Sequence, residues 1–218
     1  MRSGRRAQAG LVRGCCLLVG ATVVVAGLLA FVADRGFAAP DLGSAPQGPD
    51  HGDSQTAIAV SLGAQVVLAM VTQPHVVFTL SEHDLTVLAQ AHPPSGVTGL
   101  TARVRNGLVV VSGQHPFGPF TVTPVARVSV AVDTRQSPPD LSSKVVELDI
   151  GQLGLPGFIQ DRILGSFAGT IDLDRLFGGS PALQALRASL ECVAVAPDGL
   201  HVGVHRPGVD PDTGVCGS

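Results

Sequence analysis

The sequence predicts an α+β domain in which helices pack on one face of an antiparallel β-sheet, behind a single N-terminal transmembrane helix. Three observations carry that expectation. An uncharged apolar run stands near the N-terminus. Several later segments alternate apolar and polar residues, as strands covered on one side do. The helical segments fall among them without a regular βαβ rhythm.

The 218-residue chain is 45% hydrophobic and 14% charged, with no Trp or Tyr. It is long enough for one domain with an appendage. Charge is uneven: residues 40–218 hold 9 of the 14 basic and 16 of the 17 acidic residues, a formal charge of −7. An acidic domain with no basic cluster, and no Tyr or Trp for base stacking, argues against a nucleic-acid partner.

Residues 1–14 form a basic, cytoplasmic N-terminus with Arg2, Arg5, Arg6 and Arg13. Residues 15–33 (CCLLVGATVVVAGLLAFVA) carry no charge. Nineteen helical residues span roughly 28 Å, close to a bilayer's hydrocarbon thickness. Arginines before the run place the N-terminus in the cytoplasm and export the remainder. The length favours a retained anchor over a cleaved signal, although Gly36-Phe37-Ala38 offers the small residues a signal peptidase reads. The expected location is therefore the cell membrane, single-pass, with the domain extracytoplasmic. Residues 34–56, rich in Pro, Gly, Asp and Ser, read as a flexible linker.

The folded part covers 57–206. Residues 57–71 are apolar, with Ile58, Leu62, Val66, Ala69 and Met70 at roughly helical spacing; Gly63 and the β-branched residues leave a strand open. His75–Leu80 reads as a strand. Ser81 caps a helix with acids in its first turn and a buried face of Leu85, Leu88 and Ala89, which Pro93-Pro94 ends. Leu100, Ala102 and Val104 alternate with Thr101, Arg103 and Arg105. Asn106-Gly107 then turns the chain into Leu108–Val111. A longer alternation runs from Phe120 to Asp133, and Val146, Leu148 and Ile150 alternate with Glu147 and Asp149. A helix follows Leu155-Pro156, carrying Phe158, Ile159, Ile163, Leu164 and Phe167. A short helix starts near Pro181 with Leu183, Leu186 and Leu190. A hairpin of Cys192–Ala196 and Leu200–Val204 closes the domain around Pro197-Asp198-Gly199, leaving 207–218 as a C-terminal tail.

Cys192 and Cys216 stand outside the membrane run, where an oxidising exterior permits a disulfide. The alternative is a buried Cys192 and a free Cys216 in the tail. No Cys/His spacing suggests a metal, and no cofactor is implied. Nucleophile, metalloprotease, phosphate-loop and dinucleotide motifs are missing. Six of the seven histidines have bland readings: His201 and His205 as solvated strand residues, His83 as local electrostatics, His51 in the spacer, His92 and His115 in loops. Glu147, Asp149, Asp172, Asp174 and Asp198 read as solvent-facing. The chain is therefore expected not to be an enzyme.

Three segments carry a resemblance: Phe78-Thr79-Leu80-Ser81-Glu82-His83-Asp84-Leu85, Val104–Gly113 with its Asn106-Gly107 turn, and Gly151-Gln152-Leu153-Gly154-Leu155-Pro156-Gly157-Phe158-Ile159. In that order behind an anchor, over roughly 57–206, the chain resembles the LmeA-like phospholipid-binding proteins of bacteria, related to the tubular lipid-binding (TULIP-like) superfamily. The short, Gly-interrupted stretch before Phe78 departs from a long groove-lining helix. The resemblance implies a curved antiparallel sheet wrapped against helices around an apolar groove. The partner is then a phospholipid or glycolipid. The expected groove residues are Val110, Val122, Val128, Val130, Leu148, Phe158, Ile159, Ile163 and Phe167. A non-enzymatic ectodomain docking on another envelope protein is the alternative, recognised by an exposed apolar patch without a cavity. A hydrolase with an unrecognised site would instead show clustered polar groups with shifted pKa values.

Overall fold

A computed structural model describes residues 40–43, 49–91, 93–117, 120–136, 138–154 and 186–217, with scattered positions between 27 and 38. The run 15–33 is described only at scattered positions from 27 on. The helix expected after Pro156, with Phe158, Ile159, Ile163 and Phe167, lies outside the described residues. So do Asp172, Asp174 and Leu183.

In chain order the elements are α1 (Gln55–Thr72), β1 (His75–Leu80), α2 (Glu82–Ala91), β2 (Thr98–Arg105), β3 (Leu108–Phe117), β4 (Phe120–Val122), β5 (Pro124–Asp133), β6 (Asp140–Ile150), β7 (Leu153–Gly154), β8 (Leu190–Ala196) and β9 (Gly199–His205). A short 3₁₀ turn, Val215–Gly217, comes after β9. The class is α+β with antiparallel strands, but the strands form two sheets where one was expected. β1-β9-β8 make a three-stranded sheet and β2-β3-β5-β6-β7 a larger one, with β4 paired to β3.

Residues 57–71, open between helix and strand on sequence grounds, are helical. Ser54 caps α1 by accepting the Ala57 N–H at 3.1 Å. One stripe of α1 (Ile58, Leu62, Val66) is buried against Val76 and Phe78 of β1, Leu88 of α2 and Val202 of β9. Val130, Val132 and Leu141 of the larger sheet complete this core from the other side, where β5 packs on β8. Each such side chain contributes about 1.5–3 kcal/mol on burial.

α2 has the expected cap in reciprocal form. Ser81 Oγ accepts the Asp84 N–H at 3.1 Å, and the Asp84 carboxylate accepts the Ser81 N–H at 2.9 Å. The helix lies along the open edge of β2 and takes the place of a neighbouring strand. Glu82 accepts the Val104 N–H at 2.7 Å, Thr86 Oγ1 accepts the Ala102 N–H at 2.9 Å, and Gln90 donates to the Leu100 carbonyl at 2.7 Å. The spacing works because four helical residues advance about 6 Å and two strand residues about 6.7 Å. Side chains at i, i+4 and i+8 thus meet alternate strand residues, and an edge that would otherwise invite another chain is closed.

Asn106 and Gly107 both adopt positive φ, at 54° and 74°, the two-residue turn expected between β2 and β3. β8 and β9 form the expected closing hairpin, with Ala196 opposite Gly199. Leu190 departs from expectation: residues 186–188 are helical, but Leu190 opens β8.

Each sheet contains a bulge. In β6, Arg127 pairs with Glu147 and Val128 with Val145, so Val146 is the extra residue. In β8, Leu190 pairs with Val204 and Cys192 with Gly203, so Glu191 is extra. A bulge re-aims its side chain, and here it turns Glu191 completely inward. Its Oε2 accepts the Asp212 N–H at 2.9 Å and lies 2.8 Å from His75 Nδ1. Beside it, Cys192 and Cys216 form a disulfide with a Cα separation of 6.0 Å. The tail is therefore fastened at two points, and Cys216 is buried.

The described part of the linker touches the domain at Arg35 and at His51. Arg35 donates to Gln152 Oε1 at 3.1 Å, and its carbonyl accepts the Gln152 N–H at 3.0 Å. His51, expected in the spacer, is instead buried: its Nδ1 lies 2.7 Å from Asp84 Oδ2, and its N–H donates to Asp84 Oδ1 at 3.2 Å.

Candidate functional site

The larger sheet has two chemically different faces, and each borders a concavity. Cross-strand pairing assigns the residues. Val109 opposes Val128, while Val110 opposes Arg127. Ala126 opposes Leu148, while Val125 opposes Asp149. Val128, Val130 and Leu148 therefore share the face turned to the helices and the small sheet. Val110, Val125, Arg127, Glu147 and Asp149 share the other.

On the first face lies an apolar pocket of about 60 Å³ between α1, α2, β1, β9 and β5. Its walls include Ile58, Leu62, Phe78, Leu88, Val130 and Leu141, and Gln55 is the one polar side chain among them. Of the nine expected groove residues, Val130 lines this pocket. Val128 is buried nearby on the same face, and Leu148 is half-buried farther along it. Val110 is a correction, because it faces the opposite side. Leu108–Val111 is apolar at every position, so alternation could not say which residues point inward. Val122 lies on β4, away from the pocket.

α1 has an unusual outer surface. Its 18 residues include no Asp, Glu, Lys or Arg, and it is apolar and long enough to pass a membrane-span test, although it lies mid-chain. Opposite its buried stripe, Val60, Val67, Leu68 and Val71 are 65–73% exposed. A surface helix of a water-soluble domain places charge there.

The second face carries a polar cleft of about 370 Å³. Val110 and Val125 form its floor, Arg105, Asn106, Arg127, Asp149 and Gln152 its walls, and the described segment Pro40–Gly43 one rim. Arg127 forms a close ion pair with Asp149 and reaches Glu147 at 3.0 Å. The hydrogen bond to Asp149 raises the Arg127 pKa, against an opposing effect of burial. Arg105 pairs closely with Glu82, which is itself buried, and Arg103 lies 3.7 Å from the same carboxylate. Asp149, expected to face solvent, has a side chain only 10% exposed, and its Oδ1 has no hydrogen-bond partner. Leaving a buried acceptor unmet costs about 1–3 kcal/mol.

The remaining titratable residues are local. His201 lies 2.9 Å from Asp198, and His115 Nδ1 lies 2.9 Å from the Gly96 carbonyl. Asp50, Asp53 and His83 place three ligand-type atoms within 4.8 Å of one another on the surface. The partly buried pairs His51–Asp84 and His75–Glu191 had no sequence signal, because their members are 33 and 116 residues apart.

No protein-family model, no curated protein and no solved structure matches this chain.

Proposed function

We propose that this chain is a membrane-anchored, extracytoplasmic lipid-binding protein of a bacterial envelope, non-catalytic, which receives acyl chains between α1 and a curved sheet. The observation that carries the reading is α1, a charge-free helix with apolar side chains on both sides. Its inner face covers a pocket with one polar wall residue, and its outer face leaves four large apolar side chains in the open. Apolar shape suffices for such a role, since each buried methylene of a bound chain contributes about 0.8 kcal/mol.

At about 60 Å³ the pocket is well below the roughly 300 Å³ at which ligand sites begin. Uptake of a chain therefore requires α1 to move outward from its single buried stripe. The exposed side chains of α1 favour a second reading, a regulatory ectodomain that docks this helix on another envelope protein.

Native mass spectrometry of the full chain, released from detergent micelles and followed by organic extraction, separates the two. A stoichiometric lipid, lost in a folded Val130→Asp variant and retained in Leu68→Lys, supports lipid binding. A lipid-free chain that holds a stoichiometric protein partner, released by Leu68→Lys, overturns it in favour of docking.

A further inference from the structure

The polar cleft is independent of the apolar pocket: it lies on the other face of the sheet and shares no lining residue with it. Its volume of about 370 Å³ falls within the range of small-molecule sites. We propose that this cleft binds an uncharged, hydroxyl-rich group, the size of one sugar unit, through the Asp149 carboxylate, the Arg127 guanidinium and the amides of Asn106 and Gln152.

The chemistry selects the ligand class. Asp149 Oδ2 is engaged by Arg127, whereas Oδ1 is a buried acceptor with no donor. A ligand group that reaches Oδ1 would have to offer an O–H or N–H. Around it stand guanidinium donors and amides that both donate and accept. A group in which every oxygen can do both, as a hydroxyl does, complements such a wall.

Charge argues against an anion. The two arginines of the cleft are already matched by Glu82, Glu147 and Asp149, and Asp41 adds a further acid at the rim. A phosphate would meet a wall with no cationic surplus. The apolar floor of Val110 and Val125 suits the C–H face of a sugar ring, in a chain with no Trp or Tyr to stack on it.

The test uses the full chain in a detergent without a sugar head group and saturation-transfer NMR with glucose, galactose and glycerol. Vesicles containing a glucosyl diacylglycerol form a second arm. Binding of free sugar identifies a soluble ligand. Saturable binding in the vesicle arm alone, absent from vesicles of the same diacylglycerol without the sugar, identifies a lipid head group as the source.

Asp149→Asn is expected to weaken either interaction by about tenfold or more, because a charge-assisted bond is lost. Asn106→Gly keeps the positive-φ turn and the Arg127–Asp149 pair intact, and is expected to weaken binding about threefold through loss of one neutral hydrogen bond. The second variant keeps the test valid if Asp149→Asn fails to fold. No saturable binding in either arm overturns the proposal, as does unchanged affinity in Asn106→Gly together with a folded Asp149→Asn. Preferential binding of inorganic phosphate or ethanolamine overturns the ligand class. None of these outcomes bears on the acyl-chain experiment, which reads Val130 on the opposite face.

Discussion

Gly203 should be required only because of the disulfide. It sits on β9 opposite Cys192, and a Cβ built there would lie 2.3 Å from Cys192 Sγ, 3.0 Å from Cys216 Sγ and 3.2 Å from Val215 Cγ2. Real Cβ atoms do not approach sulfur at 2.3 Å, so Gly203→Ala must displace or break the bridge. The sequence separation of 24 residues sets what the bridge is worth. Chain entropy for a loop of that length gives about 3.4 kcal/mol at 25 °C, which is the ceiling for the loss. We expect Gly203→Ala to cost about 2–3 kcal/mol in the oxidised protein. In a Cys192→Ala/Cys216→Ala background both sulfurs are gone, and Ala in a strand is better than Gly by roughly 0.5–1 kcal/mol. There the same substitution should be neutral or stabilising. Urea unfolding followed by backbone circular dichroism measures both arms of the cycle, since the chain has no Trp or Tyr to report by fluorescence. Equal destabilisation in the two backgrounds would refute the disulfide as the cause and place the conflict with the strand itself.

Two further predictions concern the helix that closes the sheet edge. Thr86→Val keeps shape but removes the oxygen that accepts the Ala102 N–H. It should cost about 1–3 kcal/mol in the same urea assay and raise the aggregation rate by reopening the β2 edge; an unchanged midpoint and rate would discount the edge role. Asp84→Ala removes the acceptor for the Ser81 and His51 N–H groups and for the His51 ring. It should destabilise by about 2–4 kcal/mol and speed proteolysis between Asp50 and Ser54, whereas cleavage at the wild-type rate would show that His51 does not hold that segment.

What the sequence made legible was local. Asn106-Gly107, the Ser81 cap and the closing hairpin each depend on residues within a few positions of one another, so their chemistry is written in order along the chain. α1 was legible in part, and the reason is physical. Ile58, Leu62 and Val66, the stripe that is buried, stand at helical spacing, but Val60 and Val67 make the outer side apolar too, and with Gly63 in the run a strand stayed open. The division into two sheets was hidden as well: β1 pairs with β9, His75 opposite His205, across most of the folded chain. The polar stripe Glu82, Thr86, Gln90 was readable as a spacing. Its meaning depended on a strand edge that only the tertiary structure supplies. Val110 and Asp149 share a face for different reasons: the run Leu108–Val111 has no alternation to orient Val110, whereas alternation assigned Asp149 to solvent and the structure encloses it.

That face connects the two proposals. In a one-sided sheet the residues opposite the core meet water, and their charges need no partners. Here Asp149 is enclosed, Glu82 is buried at the neighbouring edge of β2, and each is paired with arginine. Breaking such a pair by removing one partner typically costs several kcal/mol, whereas replacing the whole pair by apolar residues is often neutral. A chain with 14% charged residues that needed only a core would find the second arrangement easier. The ligand proposed for that side would give the unmet Asp149 acceptor a donor. A glycolipid would supply both halves of the requirement, an acyl chain under α1 and a hydroxylated head at Asp149. The two sites lie on opposite faces of the same strands, so one molecule would have to pass around a sheet edge to fill both. Two glycolipids per chain, one lost with Val130→Asp and the other with Asp149→Asn, would therefore mean two separate ligands. A single glycolipid per chain, weakened by either substitution, would mean one.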